Sequence, residues 1–447
     1  MNAHRLPSSA TLLLAGALLA SIPACSDVLT EPVTDEGAAS AAASLVSFRT
    51  PPFVGCSDPA PQPSGALYQI CFPALWNGDA VYWAHGYVAP HEPLAVPDDA
   101  IGGAPVASIV TGLGYAYAAT SYRRNGLAAD VAVQDLEQLA GLVDQLASPR
   151  FHLLVGASEG GLSTALALEN ASTSFDGGLA ACGPVGSFRG QINWFGDFRA
   201  VFDALFPGLL PGDATTVPQS VRDAWETTYV PTILAALAAN PSRTAELLRV
   251  TRVPTDAADP STVGQAVLGL LFYNVFGADD AVARLGGSPY DNRLRWYHGS
   301  SNDFLLNLRI RRYRASSTAL AALRPFETSG RLRRPTQALH TTGDPIVPFW
   351  QQPLYQGKVL LAGSGLRLIA LPANRWGHCA FTVQETLTSF ALLVLRVTGR
   401  NLIASADALP AGTDPGDLVA AARAAGAEPV LVPAETWREW SRQPDAR

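Results

Sequence analysis

Three short segments carry residue types that can do covalent chemistry together. The first is the apolar run Phe151 to Val155 (F-H-L-L-V), which leads directly into Gly156-Ala157-Ser158-Glu159-Gly160-Gly161. Glycines around a serine permit a turn too tight for side chains, and such a turn presents the hydroxyl outward. The second is T-Q-A-L-H (336–340), followed by Thr341-Thr342-Gly343-Asp344-Pro345-Ile346-Val347-Pro348. The third is L-I-A-L-P (368–372), followed by Ala373-Asn374-Arg375-Trp376-Gly377-His378-Cys379. Serine alone is a poor nucleophile and needs a base that an acid orients. Ser158, His378 and Asp344 supply one of each, and their joint chemistry would be acyl transfer to water through a serine ester.

These residues must be brought together by the elements that precede them. Ala66–Phe72 and Ala80–Ala84 are strand-like, and a helix is expected over Pro105–Leu113 before a strand at Tyr115–Ser121. Val133, Leu136, Leu139, Ala140, Val143 and Leu146 recur at helical spacing within 131–146. Phe151–Val155 is a short apolar run of the kind buried in parallel sheets. A helix over Leu162–Leu168 and a strand over Gly178–Ala181 follow. Residues 187 to about 330 then show helix formers, tryptophans and prolines but no strand series. The rhythm resumes with a strand at Thr336–His340, a helix near Pro353–Leu361, a strand at Arg367–Leu371 and a helix at Val383–Val397. This is an α/β protein: a mostly parallel sheet flanked by helices, with a largely helical cap inserted after the sixth strand.

The G-x-S-x-G turn between strand and helix, the D-x-x-V-P and G-H elements, and the chain order Ser, Asp, His resemble those of the α/β-hydrolase superfamily. The resemblance covers about residues 65–186 and 335–400. It implies that Ser158 attacks a carbonyl carbon, His378 shuttles the proton and Asp344 holds the imidazole. It further implies an oxyanion hole built from the N–H of Glu159 and a second N–H in the loop Ala84-His85-Gly86-Tyr87, Tyr87 being preferred to Gly86. His85 would then be a structural loop residue, His340 a strand histidine buried or hydrogen-bonded in place and His152 likewise a strand histidine, while Asp197 in W-F-G-D-F-R is the rival acid. Tyr87, Phe349 and Trp350 are the aromatic candidates at the mouth for substrate binding; their alternative is packing between cap and core. The activity implied is carboxylic ester hydrolysis, with a peptidase of the prolyl oligopeptidase-like type as the second reading and a non-catalytic binding lipoprotein as the third.

Composition agrees with a core-forming enzyme. The 447 residues are 48% hydrophobic and 15% charged, unlike a disordered chain, and the formal charge of −7 argues against a nucleic-acid partner. No run of about 18 apolar residues is present to form a membrane channel. Arginine dominates the basic residues, with Lys358 the one lysine among 31 Lys and Arg. Arg309, Arg311, Arg312, Arg314, Arg331, Arg333 and Arg334 form a basic set in the cap, read as a solvated face or as an attractor of anions. No metal-ligand spacing such as H-E-x-x-H or C-x-x-C occurs, so neither metal nor cofactor is expected.

Residues 1–24 read as a lipoprotein-type signal peptide, with the apolar run Thr11–Ala20 closing at Ile22-Pro23-Ala24-Cys25. Cys25 is the expected lipidation site and membrane anchor, and 25–45 a flexible tether. The remaining organisation is a first core part over 46–186, a cap over 187–334, a second core part over 335–400 and an appendage over 401–447. Export makes Cys56, Cys71, Cys182 and Cys379 candidates for two disulfides, with three pairings open from the residues alone. The α/β-hydrolase resemblance implies Cys182–Cys379, because the histidine loop would pass the strand end at Cys182, and leaves Cys56–Cys71 as a local clasp.

Overall fold

The structure, a computed structural model, describes residues 48–400. The signal peptide, the whole tether with Cys25, and the appendage lie outside the described residues.

In chain order the strands are β1 (Gly55–Cys56), β2 (Ala60–Pro61), β3 (Leu67–Phe72), β4 (Ala80–Ala84), β5 (Ala100–Ile101), β6 (Ala104–Pro105), β7 (Ala116–Thr120), β8 (His152–Ala157), β9 (Gly177–Ala181), β10 (Thr336–Gly343) and β11 (Leu368–Trp376). Nine of them form one sheet in the order β1-β3-β7-β4-β8-β9-β10-β11, with β2 also on β3, while β5 and β6 pair separately. Pairing is parallel from β7 through β11 and antiparallel among β1, β2, β3 and β7. Every residue of β4, β7 and β9 is buried, so these strands read as continuous small or apolar runs rather than alternations.

Helices cover both faces. On one, α1 (Val106–Gly112) and α12 (Val383–Thr398) bring Val106, Val110, Phe390 and Leu393 onto Val81, Leu153, Leu179 and Leu339. On the other, α2 (Ala129–Ala147), α3 (Glu159–Glu169) and α11 (Gln351–Leu361) bring Leu136, Leu139, Leu168 and Val359 onto Tyr82, Leu154 and Ala180. Between β9 and β10 the chain is helical: α4 (Phe188–Leu205), α5 (Gln219–Asp223), α6 (Val230–Ala239), α7 (Pro241–Thr251), α8 (Ser261–Leu285), α9 (Asp303–Arg309) and α10 (Ser317–Ala322). This segment has its own core around Phe202, Trp225, Leu247 and Leu271, which also takes in Ile346 and Val347 from the turn after β10. By length and composition α8 could cross a membrane, but Leu270, Leu271, Asn274 and Val275 are buried in this core.

Four details differ from the sequence expectation. The inserted segment follows the seventh strand of the main sheet, not the sixth: five of the seven show in the periodicity, and the two-residue β1 and β2, which form only by pairing with β3, make up the rest. Pro105 belongs to β6 and α1 starts at Val106, since the proline ring suits the entry to a helix rather than its interior. α3 begins at Glu159, three residues before its apolar periodicity starts, because Gly160 and Gly161 are helical only through close packing. β11 runs to Trp376, where it pairs with Gly343 across an irregularity, so His378 stands two residues past the strand.

Candidate active site

The register of the parallel strands brings five chain ends to one edge of the sheet. Ala84 pairs with Gly156, Ala157 with Ala181, Ala181 with Leu339 and Gly343 with Trp376. The next residues along each strand are therefore His85-Gly86-Tyr87, Ser158, Cys182, Asp344 and His378-Cys379.

Ser158 has φ 58° and ψ −122°, a conformation non-glycine residues adopt only under strain of about 1–3 kcal/mol. The glycines around it make that turn possible. A Cβ on Gly156 would lie 2.3 Å from the Gly160 carbonyl oxygen, and one on Gly160 would lie 1.9 Å from that of Ala84. Ser158 thus sits at the N-terminal end of α3, where helix N–H groups favour negative charge. Gly86 approaches from β4, and a Cβ there would be 3.3 Å from the serine Cβ.

His378 Nε2 lies 2.9 Å from Ser158 Oγ, and its Nδ1 lies 2.7 Å from Asp344 Oδ2. Asp344 is fully buried, and the N–H groups of Ile346 and Val347 each donate to Oδ1 at 2.9 Å. Those two donors explain why the acid sits in a D-P-I-V-P turn: they fix the carboxylate and offset its desolvation. With Asp344 accepting from Nδ1–H, Nε2 is free to accept the serine proton. Cys182 and Cys379 are bonded, with Cα atoms 5.4 Å apart and a sequence separation of 197. This bond fastens the histidine loop to the end of β9. Cys56 and Cys71 form the second disulfide across the β1–β3 pair. Each closed loop contributes about 2–4 kcal/mol by constraining the unfolded chain. The Cys182, His378 and Cys379 ligand atoms lie close together, but the two sulfurs are bonded to each other and are not thiolates.

The other described histidines are committed to other partners, although His340 Nε2 also stands 3.6 Å from Asp344 Oδ2. His340 Nε2 bonds the Val347 carbonyl at 2.8 Å, and burial lowers its basicity. His85 bonds the Gly86 carbonyl at 2.7 Å and stacks on Tyr122, and burial lowers its basicity too. His152 bonds the Tyr82 hydroxyl at 2.8 Å, and His298 is exposed beside Asp303. Asp197, the rival acid, accepts from the hydroxyls of Tyr290 and Tyr297 within the helical segment, while Asp344 takes His378.

A partly open cavity of about 120 Å³ borders Ser158 and Glu159. Its walls include Tyr87, Phe188, Ile192, Phe195, Tyr273 and Ile346. Phe349 and Trp350 are not among its lining residues. The chain turns at Val347-Pro348 toward α11, which sets Phe349 edge-on to His340 and points Trp350 at Gly190 of α4. The packing alternative therefore describes them, and the walls come from α4 and α8. The basic set is also partly committed: Arg311 pairs with Asp213 at 2.6 Å, and Arg312 donates to the carbonyls of Asn292 and Arg295.

Glu159 does more than its backbone position suggests. Its buried carboxylate accepts from the N–H groups of Ala128 (2.8 Å) and Ala129 (3.0 Å), which caps α2, a helix whose own N-cap residue, Ala128, has no capping side chain. Desolvation dominates its titration and raises its pKa from 4.5 to about 7, against the lowering effect of those two N–H groups. The folded state therefore binds this proton more tightly than the unfolded chain does. Stability is highest below pH 4.5 as far as this group is concerned and falls as pH rises through 4.5–7, by about 3 kcal/mol in all. A Glu159→Gln variant keeps an oxygen for the cap and loses the titration. Urea unfolding from pH 4.5 to 8 should show the wild type losing stability relative to this variant. Parallel profiles would show that burial does not shift the group.

The strand order, the strained serine between β8 and α3, and the acid and histidine after β10 and β11 together constitute the α/β-hydrolase fold. No protein-family model and no curated protein sequence matches the chain. Among solved structures it is similar to feruloyl esterase B from Aspergillus oryzae, at 14% identity over 75% of this chain and 78% of that one, with a TM-score of 0.39. It is also similar to another esterase from Aspergillus oryzae (12%, 75% and 78%, TM-score 0.41). A third is an acylaminoacyl peptidase from Pyrococcus horikoshii (11%, 79% and 42%, TM-score 0.37), of whose length the match spans under half.

Proposed function

We propose that this protein is an exported serine hydrolase that cleaves carboxylic esters bearing a bulky apolar or aromatic group. The observation that carries the reading is the hydrogen-bonded series Ser158–His378–Asp344 at the wall of an apolar cavity. In the first half-reaction Ser158 Oγ attacks the ester carbon as His378 Nε2 takes its proton, and Asp344 stabilises the imidazolium. The N–H groups of Glu159 and of Tyr87 or Gly86 receive the oxyanion. His378 then protonates the leaving alcohol. In the second half-reaction His378 deprotonates a water that attacks the acyl-serine, and the acid departs.

The ester preference rests on what the cavity offers. Peptide substrates need free hydrogen-bonding groups along the cleft. The carboxylates that line this cavity, Glu159 and Asp280, are already engaged by the N–H groups of Ala128, Ala129 and Leu127 and by Arg284. Export is supported by the two disulfides, which persist in oxidising compartments; the proposed anchor is the lipidated Cys25, and without lipidation the protein would be secreted.

The test is kcat/KM for an ester and an amide that share one aromatic acyl group. We expect the ester to be favoured by several orders of magnitude. Comparable amide hydrolysis would transfer the reading to a serine peptidase of the prolyl oligopeptidase-like type.

A further inference from the structure

One surface of the inserted helical segment is apolar where the chain faces water. Leu294 is 96% exposed, Trp296 49%, Phe304 65% and Leu308 67%, with Leu305 exposed beside them. All five fall between positions 294 and 308. In α9, Phe304, Leu305 and Leu308 share the outer face, while Leu306 and Asn307 are buried beneath it. Leu294 lies in a turn that the Arg295 N–H closes on the Asn292 carbonyl at 3.1 Å, and Trp296 follows it. This stretch runs alongside α9, because Asn307 accepts from the Tyr297 N–H at 3.0 Å and donates to the Tyr297 carbonyl at 2.7 Å. Large apolar side chains grouped on a surface in this way mark an interaction site.

The charges around them indicate what binds. Positions 291–314 hold six arginines against two aspartates, in a chain whose formal charge is −7. Arg293 pairs with Asp291, Arg295 with Asp197 and Arg311 with Asp213. No carboxylate neutralises the other three. Arg312 donates to the carbonyls of Asn292, Arg295 and Asn307. Arg309 and Arg314 are exposed and make no ion pair or hydrogen bond among the described residues. Arg309 also lines a cleft of about 200 Å³ together with Arg243 of α7, Ser300, Ser301 and Asn302. The carboxylate lining that cleft, Glu246, is already engaged by the Ser300 hydroxyl and the Ser301 N–H. Two guanidinium groups therefore border a space with room for a phosphate, next to exposed Leu305.

We propose that this face docks on an anionic lipid bilayer. Leu294, Trp296, Phe304 and Leu308 enter the headgroup region, and Arg243, Arg309 and Arg314 bind lipid phosphates. A stable protein partner covers about 20–30 residues a side and would have to set a carboxylate against each free guanidinium. Five apolar side chains bordered by unpaired arginines match a membrane surface instead. The inference stands apart from the serine-hydrolase reading and from lipidation at Cys25.

The test is co-sedimentation with vesicles of phosphatidylcholine, alone or mixed equally with phosphatidylglycerol. The protein is the chain from position 25 onward, without the expected leader and with Cys25→Ser, so that no acyl group contributes. We expect binding to the mixed vesicles that weakens with added salt, and binding about 10-fold weaker or less to phosphatidylcholine alone. The pair Phe304→Ser and Leu308→Ser, and the pair Arg243→Gln and Arg309→Gln, should each weaken it about 10-fold or more. Tm should stay within a few degrees and turnover of a soluble ester should not change, since these side chains lie outside the Ser158 cavity. No binding by the parent chain, equal binding to both vesicles, or variants that bind like the parent would each overturn the proposal. Should a pair lower Tm further, Leu294→Ser takes its place, and unchanged binding by that variant overturns the proposal as well. A dimer in vesicle-free solution that Phe304→Ser and Leu308→Ser abolish would assign the face to a second copy and overturn it too.

Discussion

Ser158→Ala is expected to lower kcat on an aromatic ester by about 10⁵- to 10⁶-fold and to abolish fluorophosphonate labelling, while KM changes little. The size follows from what the hydroxyl does. In the proposed mechanism it is the atom that joins the acyl group, and it stands 2.9 Å from His378 Nε2, to which it donates. The residue of activity, about 10³ to 10⁴ over water, would come from the oxyanion donors and from substrate binding in the cavity. Alanine keeps the same Cβ in the elbow, so the strain at φ 58° is unchanged, and a melting curve checks that the fold survives. Turnover retained in the purified variant would remove Ser158 from the mechanism and the ester reading with it.

Asp344→Asn should cost about 10⁴-fold in kcat at pH 7, with the loss shrinking as pH rises. The asparagine side chain still accepts from Ile346 and Val347 N–H through one oxygen, so the turn survives. Its amide group, however, donates toward His378 Nδ1 and enforces the tautomer in which Nε2 carries the proton. A histidine protonated at Nε2 cannot accept from Ser158. Hydroxide in alkaline solution partly replaces the missing base, which is why the pH profile distinguishes a tautomer effect from collapse of the site. Full activity in this variant would point to another acid, and Asp197 is excluded from that part only so long as it stays with Tyr290 and Tyr297.

The fate of individual residues shows how much could be read before folding was known. Strands β4, β7, β8, β9 and β10 and helices α2 and α12 lie within a few residues of where periodicity alone puts them, because buried parallel strands and amphipathic helices leave local signatures. The cavity-lining Tyr273 left none. It lies in L-G-L-L-F-Y-N-V-F, an apolar helical run in which any aromatic residue reads as core. Phe349 and Trp350 misled for the opposite reason: proximity to Asp344 in sequence suggested the mouth, but the turn at Val347-Pro348 directs them between α11 and α4. Glu159 was legible as a backbone donor and silent as a cap, since Ala128 and Ala129 are about 30 residues upstream of it.

By itself, then, the sequence determined the α/β alternation, the interruption between β9 and β10, the glycines that allow a strained serine, and which serine, acid and histidine stand after which strands. All of these are local properties: side-chain period, backbone permissiveness and chain order. Tertiary structure decided what depends on distance between remote segments. The strand register brings Ser158, Asp344 and His378 within 2.9 Å contacts, the Cys182–Cys379 bond holds the histidine loop, and residues of α4 and α8 line the cavity beside Ser158. Such contacts join positions from 34 to 220 residues apart, and a chain records them only through the packing of the whole.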